Sequence, residues 1–206
     1  MIDLLVATTN PGKFAEVSAF LTRLPICILS LRDLKNPPAV AEDGATFDAN
    51  ALKKARTLAD FSGLLTLADD SGLEVEALGG APGIYSARYC GREGDDAENN
   101  RKLLRELTGV AEAKRTSRFV CALALCAPEE FAMADWTVRE TCDGLIACEL
   151  TGVNGFGYDP LFFYAPFGKT FGEIDREIKA TVSHRGKALK KLAQALPQLV
   201  DSAVEP

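Results

Sequence analysis

Apolar residues come in short bursts along this chain, and the spacing within each burst sets the element it can form. IDLLVAT, residues 2–8, is apolar almost throughout, the pattern of a short strand buried on both faces. TNPGK follows, with Asn10 suited to cap a helix, Pro11 suited to its first turn, and FAEVSAFLTRL in helical spacing. ICILSL, 26–31, reads as a second strand, and TFDANALKKARTLADF, 46–61, as a helix that opens on a polar cap. GLLTLAD is strand-like and places Asp69 and Asp70 at a strand end. GGAPGIYSARY reads as a long Gly- and Pro-rich loop. DAENNRKLLREL, 96–107, reads as a helix with an acidic first turn and a basic face.

Between about 117 and 150 the period becomes two. SRFVCALALCA, MADWTVRETCDG and LIACEL predict three antiparallel strands in a meander. GFGYDPLFFY begins a further strand, and SHRGKALKKLAQAL, 183–196, reads as a C-terminal helix. A parallel strand-helix opening followed by an antiparallel middle predicts a mixed α/β protein. No internal repeat, low-complexity tract or Pro/Ser-rich linker divides it. The 206 residues suit a single domain over 1–206, or one domain with a lobe.

Charge narrows the partners. With 23 Lys and Arg against 29 Asp and Glu, the formal charge is −6, which argues against general affinity for duplex nucleic acid or an anionic membrane. An acidic chain that handles an anion must gather its cations locally. The six cysteines contain no CxxC pair and there is one histidine, so a Cys/His zinc site has little to work with. The thiols are expected to be buried and reduced. MIDLLVATTN turns polar too soon for a signal peptide, and no apolar run approaches the roughly 20 residues of a membrane span. Together these predict a soluble, cytoplasmic protein.

Four stretches stand out chemically. ATTNPGK ends a strand in a turn that opens a helix, where backbone N–H groups and the helix dipole suit an anion and Lys13 adds a full charge. It lacks the Walker A spacing and equally fits an ordinary turn with a solvated lysine. Asp69-Asp70-Ser71-Gly72 sets two carboxylates side by side. Adjacent strand residues point to opposite faces, so Asp70 is the one expected to reach beyond the strand end. The pair suits a hard cation such as Mg²⁺, with Glu42 as a second ligand, or else a polar turn beside an exposed glutamate.

SHRGKAL puts His184, Arg185 and Lys187 in a first turn, against the macrodipole, and adds Gly186. That is a helix start shaped for an anionic or carbonyl-bearing partner, unless His184 is simply a satisfied structural residue. In GFGYDP, Phe156 sits between glycines. Its ring is either offered for stacking on a flat ligand or buried in a tight bend. Taken together the four stretches supply what a Mg²⁺-bound nucleoside triphosphate requires. No Ser-His or Cys-His dyad accompanies them, so phosphoryl transfer to water is the reaction class expected.

ATTNPGKFAEV, LADDSGLEVEALGGAPGIYSARY, GFGYDPLFF and SHRGKAL, in this order, resemble the motifs of the Ham1/inosine triphosphate pyrophosphatase family, and the resemblance runs from Leu5 to Leu192. It implies an elongated mixed α/β body in two lobes with a central substrate cleft, and usually a homodimer. It implies that Thr8, Thr9, Asn10, Pro11, Gly12 and Lys13 cradle the triphosphate and that Lys54 adds a phosphate contact. Glu42 and Asp70 would bind Mg²⁺, with Asp70 also accepting the proton of the attacking water, and Ser71 would touch substrate. Phe156, Gly157, Tyr158 and Asp159 would hold base and sugar, and Lys179, His184 and Arg185 would contact the purine.

Two positions depart from the family pattern: Ala49 stands where a glutamate is common, and Ala180 where an asparagine follows the lysine. The implied activity is Mg²⁺-dependent hydrolysis of ITP, dITP and XTP to the monophosphate and pyrophosphate, which cleanses the nucleotide pool. A Maf-like pyrimidine nucleotide pyrophosphatase and a non-catalytic nucleotide-binding sensor are the alternatives.

Overall fold

The computed structural model describes residues 2–22, 24–131 and 133–204. Chain contacts divide it into two compact units. The first comprises Met1–Asp70, Cys121–Glu140 and Gly186–Pro206, and the second Ser71–Val120 and Thr141–Arg185. Seven strands hydrogen-bond in the order β2-β1-β3-β4-β5-β6-β7. They are β1 (Ile2–Ala7), β2 (Ile26–Ser30), β3 (Leu65–Val75), β4 (Thr116–Cys126), β5 (Trp136–Ile146), β6 (Phe162–Tyr164) and β7 (Lys169–Thr170). The helices are α1 (Pro11–Leu21), α2 (Phe47–Ser62), α3 (Asp96–Glu106), α4 (Arg176–Val182) and α5 (His184–Val204).

In the first unit β1 pairs in parallel with both β2 and β3, from Ile2 opposite Ile26 and from Leu4 opposite Leu65. Helical crossovers permit that direction, because α1 lies between β1 and β2 in sequence and α2 precedes β3. Leu4 to Ala7 are buried without a break, as a parallel strand requires. They join Val17, Leu21, Leu67, Leu123, Leu125, Leu189 and Leu192 in one apolar cluster. α5 continues through Pro197 to Val204, past the end at 196 that the pattern predicts. Pro197 removes one backbone donor and crowds the carbonyl four residues before it, a cost offset by buried Leu196 and the packed Leu199 on either side.

In the second unit β6 pairs antiparallel with β5 and β7, so the sheet is mixed as expected. Its core gathers Leu73, Val75, Leu103, Phe119, Phe162 and Phe171, with the Phe119 and Phe162 rings 4.4 Å apart.

The middle of the chain departs from expectation. It holds two long strands rather than three, because β5 runs from Trp136 through Asp143 and Gly144 to Ile146, and residues 147–150 lie in no strand. Gly144 is a close-approach position: a Cβ there would come within 2.6 Å of the Phe162 ring and 2.7 Å of the Phe163 carbonyl oxygen. It lets β6 close on β5 instead of marking a turn.

The stretch expected as a loop winds into a 3₁₀ segment over Gly83–Arg88. Ser86 within it is buried, accepts from the Leu73 N–H at 2.9 Å and donates to the Gly83 carbonyl at 2.6 Å. α4 was not visible in the apolar spacing, being only seven residues long. None of the six cysteines is in a disulfide. Cys121, Cys126 and Cys142 are buried as expected, whereas Cys27 and Cys148 are exposed. Among the described residues no helix is long and apolar enough to cross a membrane.

Candidate active site

The residues singled out above fall into two sets, one in each unit. In the first unit the 8–13 turn is built as its sequence suggests. The Asn10 side chain caps α1 by accepting from the Lys13 N–H at 3.0 Å, with Pro11 in the first turn. Thr8 Oγ1 accepts from the Asn10 N–H at 3.1 Å. The Thr8, Asn10 and Lys13 amides are therefore satisfied locally, and the Lys13 ammonium turns toward Asp69. Thr9 and Pro11 are exposed, and Gly12 is half-buried.

The acidic pair does not lie at a strand end. β3 runs unbroken through Leu65–Val75, so Asp69 and Asp70 sit mid-strand, both buried. Cations and a thiol make this tolerable. Lys13 Nζ lies 2.9 Å from Asp69 Oδ1, and the Cys121 thiol donates to Asp69 Oδ2 at 3.4 Å. Lys54 Nζ donates to the Asp69 carbonyl at 3.3 Å and forms an ion pair with Glu42. Asp69 thus takes Lys13, while Asp70 is left with its Oδ2 buried and unpartnered.

Burial raises the Asp70 carboxyl from 3.8 to about 6, with Glu42 pushing the same way and against the pull of Lys13, Lys54 and the Asn50 side chain. A buried carboxylate oxygen without a partner, with a second carboxylate acting on it, is what a divalent cation would satisfy. Mg²⁺ needs only one or two protein carboxylates when phosphate oxygens complete its shell. Glu42 and Asp70 fit that demand.

In the second unit the 155–159 turn stands beside Lys179, in the last turn of α4, and Arg185, at the start of α5. Asp159 Oδ2 accepts from the Phe156 N–H at 2.9 Å and from Lys179 Nζ at 2.5 Å, and both charged side chains are nearly fully buried. Lys179 Nζ is 5.0 Å from the Phe156 ring centre, and the Arg185 guanidinium carbon is 5.6 Å from it. Arg185 is itself buried and donates to Ser71 Oγ at 2.7 Å. His184 stacks on Phe119 with ring centres 4.7 Å apart. The Tyr158 hydroxyl donates to the Ser86 carbonyl at 2.9 Å, and burial pushes its phenol well above the usual range. Of the basic residues in the first turn of α5, His184 and Arg185 are buried and Lys187 is exposed.

A family model described as the Ham1 family matches residues 4–195. The chain belongs to the Ham1 family. Among its relatives, a dITP/XTP pyrophosphatase of Syntrophobacter fumaroxidans is 51% identical over 197 residues, covering 96% of this chain and 83% of that one. One of Geobacter sulfurreducens is 49% identical, covering 95% and 97%. Among solved structures, a Ham1 protein from Coxiella burnetii superposes with a TM-score of 0.86 at 38% identity, covering 96% of this chain and all of that one.

In this Ham1-family chain three residues take parts that the motifs do not announce. Asp69 anchors Lys13 across 56 positions of sequence. Asp96 and Asn100, on α3, bond the backbone of Gly157. A signal for α3 existed. Asn99 and Asn100 share its buried face with Leu103 and Leu107, and polar residues on an apolar face need partners.

Proposed function

We propose that this chain hydrolyses ITP, dITP and XTP to the nucleoside monophosphate and pyrophosphate, as one functional domain over residues 1–206. The observation that supports it most is the buried, unpartnered Oδ2 of Asp70, set among Lys13, Lys54 and Glu42. The names of the relatives agree with it. The phosphates fall to Thr8–Lys13 and Lys54, Mg²⁺ to Glu42 and Asp70, and the base and sugar to Phe156–Asp159. Ser71, Lys179, His184 and Arg185 line the purine side.

Mg²⁺, when bound, supplies charge neutralisation on the phosphate oxygens and an acidified water. Asp70 orients the attacking water and takes its proton, a role suited to a carboxylate whose affinity for protons lies near neutrality. The water oxygen bonds to the α-phosphorus, the bond from that phosphorus to the bridging oxygen breaks, and pyrophosphate leaves. Lys13 and Lys54 neutralise charge along the leaving phosphates. Arg185 has N–H donors for a 6-oxo group, where adenine would present a donor of its own. A site built to satisfy one group rejects the analogue that leaves it unpaired. A cytoplasmic homodimer completes this reading, and sedimentation measures the dimer directly.

The test is pyrophosphate release from ITP, dITP, XTP, GTP, ATP, UTP and dTTP, with and without Mg²⁺. Mg²⁺-dependent turnover fastest on ITP, dITP and XTP is expected. Preference for UTP and dTTP, or binding without turnover, contradicts the proposal.

A further inference from the structure

The 155–159 turn carries the Phe156 ring, and its conformation is fixed from outside the turn. Gly157 is held at both ends of its backbone by α3. Its N–H donates to Asp96 Oδ2 at 2.8 Å, and its carbonyl accepts from Asn100 Nδ2 at 2.8 Å. Asn100 is buried and donates also to the Asp96 carbonyl at 2.8 Å, so its amide is locked before it meets the turn. Within the turn, Asp159 already holds the Phe156 N–H. The Tyr158 hydroxyl ties the same segment to Ser86. Phe156 is thereby bracketed by pinned backbone on both sides, and its ring faces the Lys179 and Arg185 cations at 5.0 and 5.6 Å.

A ring flanked by glycines has no neighbouring side chain to fix it. Its direction depends on the backbone of residues 155–157 as well as on the Lys179 and Arg185 cations beside it, and within that backbone Gly157 is held by α3 at both donor and acceptor. We propose that Asp96 and Asn100 are positioning residues for base selection: by clamping Gly157 they hold the Phe156 ring where a purine stacks against it. Neither touches substrate or the reacting phosphorus. They differ from residues that merely stabilise the fold, because loosening them should harm the base end of the nucleotide and spare the phosphate end. This rests on the reading above that residues 156–159 take the base.

The experiment compares Asp96→Ala, Asp96→Asn, Asn100→Ala and Asn100→Asp with the unaltered chain. It measures kcat and KM for ITP, the ratio of kcat/KM for ITP over GTP, and inhibition by inorganic pyrophosphate. Asp96→Ala and Asn100→Ala are expected to raise KM for ITP about tenfold and to narrow the ITP-over-GTP ratio. The pyrophosphate inhibition constant should stay unchanged and kcat should fall much less than KM rises. Asp96→Asn keeps an acceptor for the Gly157 N–H and should restore KM to within about twofold. Asn100→Asp removes the donor and should behave as Asn100→Ala.

Unchanged KM and base preference in Asp96→Ala would overturn the proposal, as would equal weakening of ITP and pyrophosphate. Asp96 is exposed, so its variants carry the test even if Asn100→Ala fails to fold. If the unaltered chain does not hydrolyse ITP, the functional reading fails instead. Titration of inosine itself against the same variants then decides the clamp separately: weaker binding in Asp96→Ala supports it, and equal binding overturns it.

Discussion

Asp70 shows how one residue trades stability for function. In the fold it keeps its proton up to about pH 6, against 3.8 for a free carboxyl, because burial penalises the charge. The folded chain therefore binds more protons than the unfolded chain between those two values, and stability falls as pH rises across that window. Above it the deficit is constant at about 3 kcal/mol. In chelator, Asp70→Asn should equal the unaltered chain near pH 4 and exceed it by about that amount at pH 8, while turnover is abolished. Denaturant titrations at the two pH values check the first part. A variant of equal stability at pH 8, or one that retains turnover, contradicts the role given to Asp70.

The buried Lys179–Asp159 pair makes the opposite case. Lys179→Met leaves Asp159 buried without its cation and should cost about 3–5 kcal/mol. Adding Asp159→Asn should recover most of the loss, since the amide oxygen still accepts from the Phe156 N–H. Failure of the double variant to recover would mean that the lysine stabilises through its contacts with the Phe156 and Phe171 rings instead.

At the scale of elements, what was legible followed local chemistry. The Asn10 cap with Pro11, the Thr46 cap of α2 and the apolar run of β1 each depend on neighbours within four residues, and each forms as read. The misreadings came where distant partners decide. Asp69 and Asp70 looked like a strand end because nothing local offsets two carboxylates. Lys13, 56 positions away, and Cys121, 52 positions away, make the unbroken strand possible. The break expected after Gly144 does not occur, because the ring that this glycine admits, Phe162, lies in another strand.

The 155–159 turn gives a test at this scale. Gly155 has φ +75° and a Cβ there would sit 1.9 Å from Asp159 Oδ2, whereas Gly157 has φ +60° and open space. Gly157→Ala should cost about 1 kcal/mol, the price of a left-handed residue. Gly155→Ala should cost at least about 2 kcal/mol more, because it also displaces the carboxylate that holds Lys179. Thermal melts of the two variants compare them, and equal losses would contradict the part assigned to Asp159.

For the molecule as a whole, each compact unit has its own apolar core and its own functional set. The first unit gathers the cations and carboxylates that suit phosphates, and the second gathers a ring, two buried cations and a pinned turn that suit a base. Part of the base set depends on pairings no local pattern announces, since Arg185 meets Ser71 across 114 positions. The motifs were still readable in sequence because each is short and keeps its own local geometry, while their assembly is a property of the fold. In the proposed reaction water attacks the innermost phosphorus of an inosine nucleotide. Hydrolysis of ITP in ¹⁸O-water, followed by mass analysis of both products, tests it most directly. One ¹⁸O atom in IMP and none in pyrophosphate is the expected result; label in pyrophosphate, or release of orthophosphate with IDP, would contradict it.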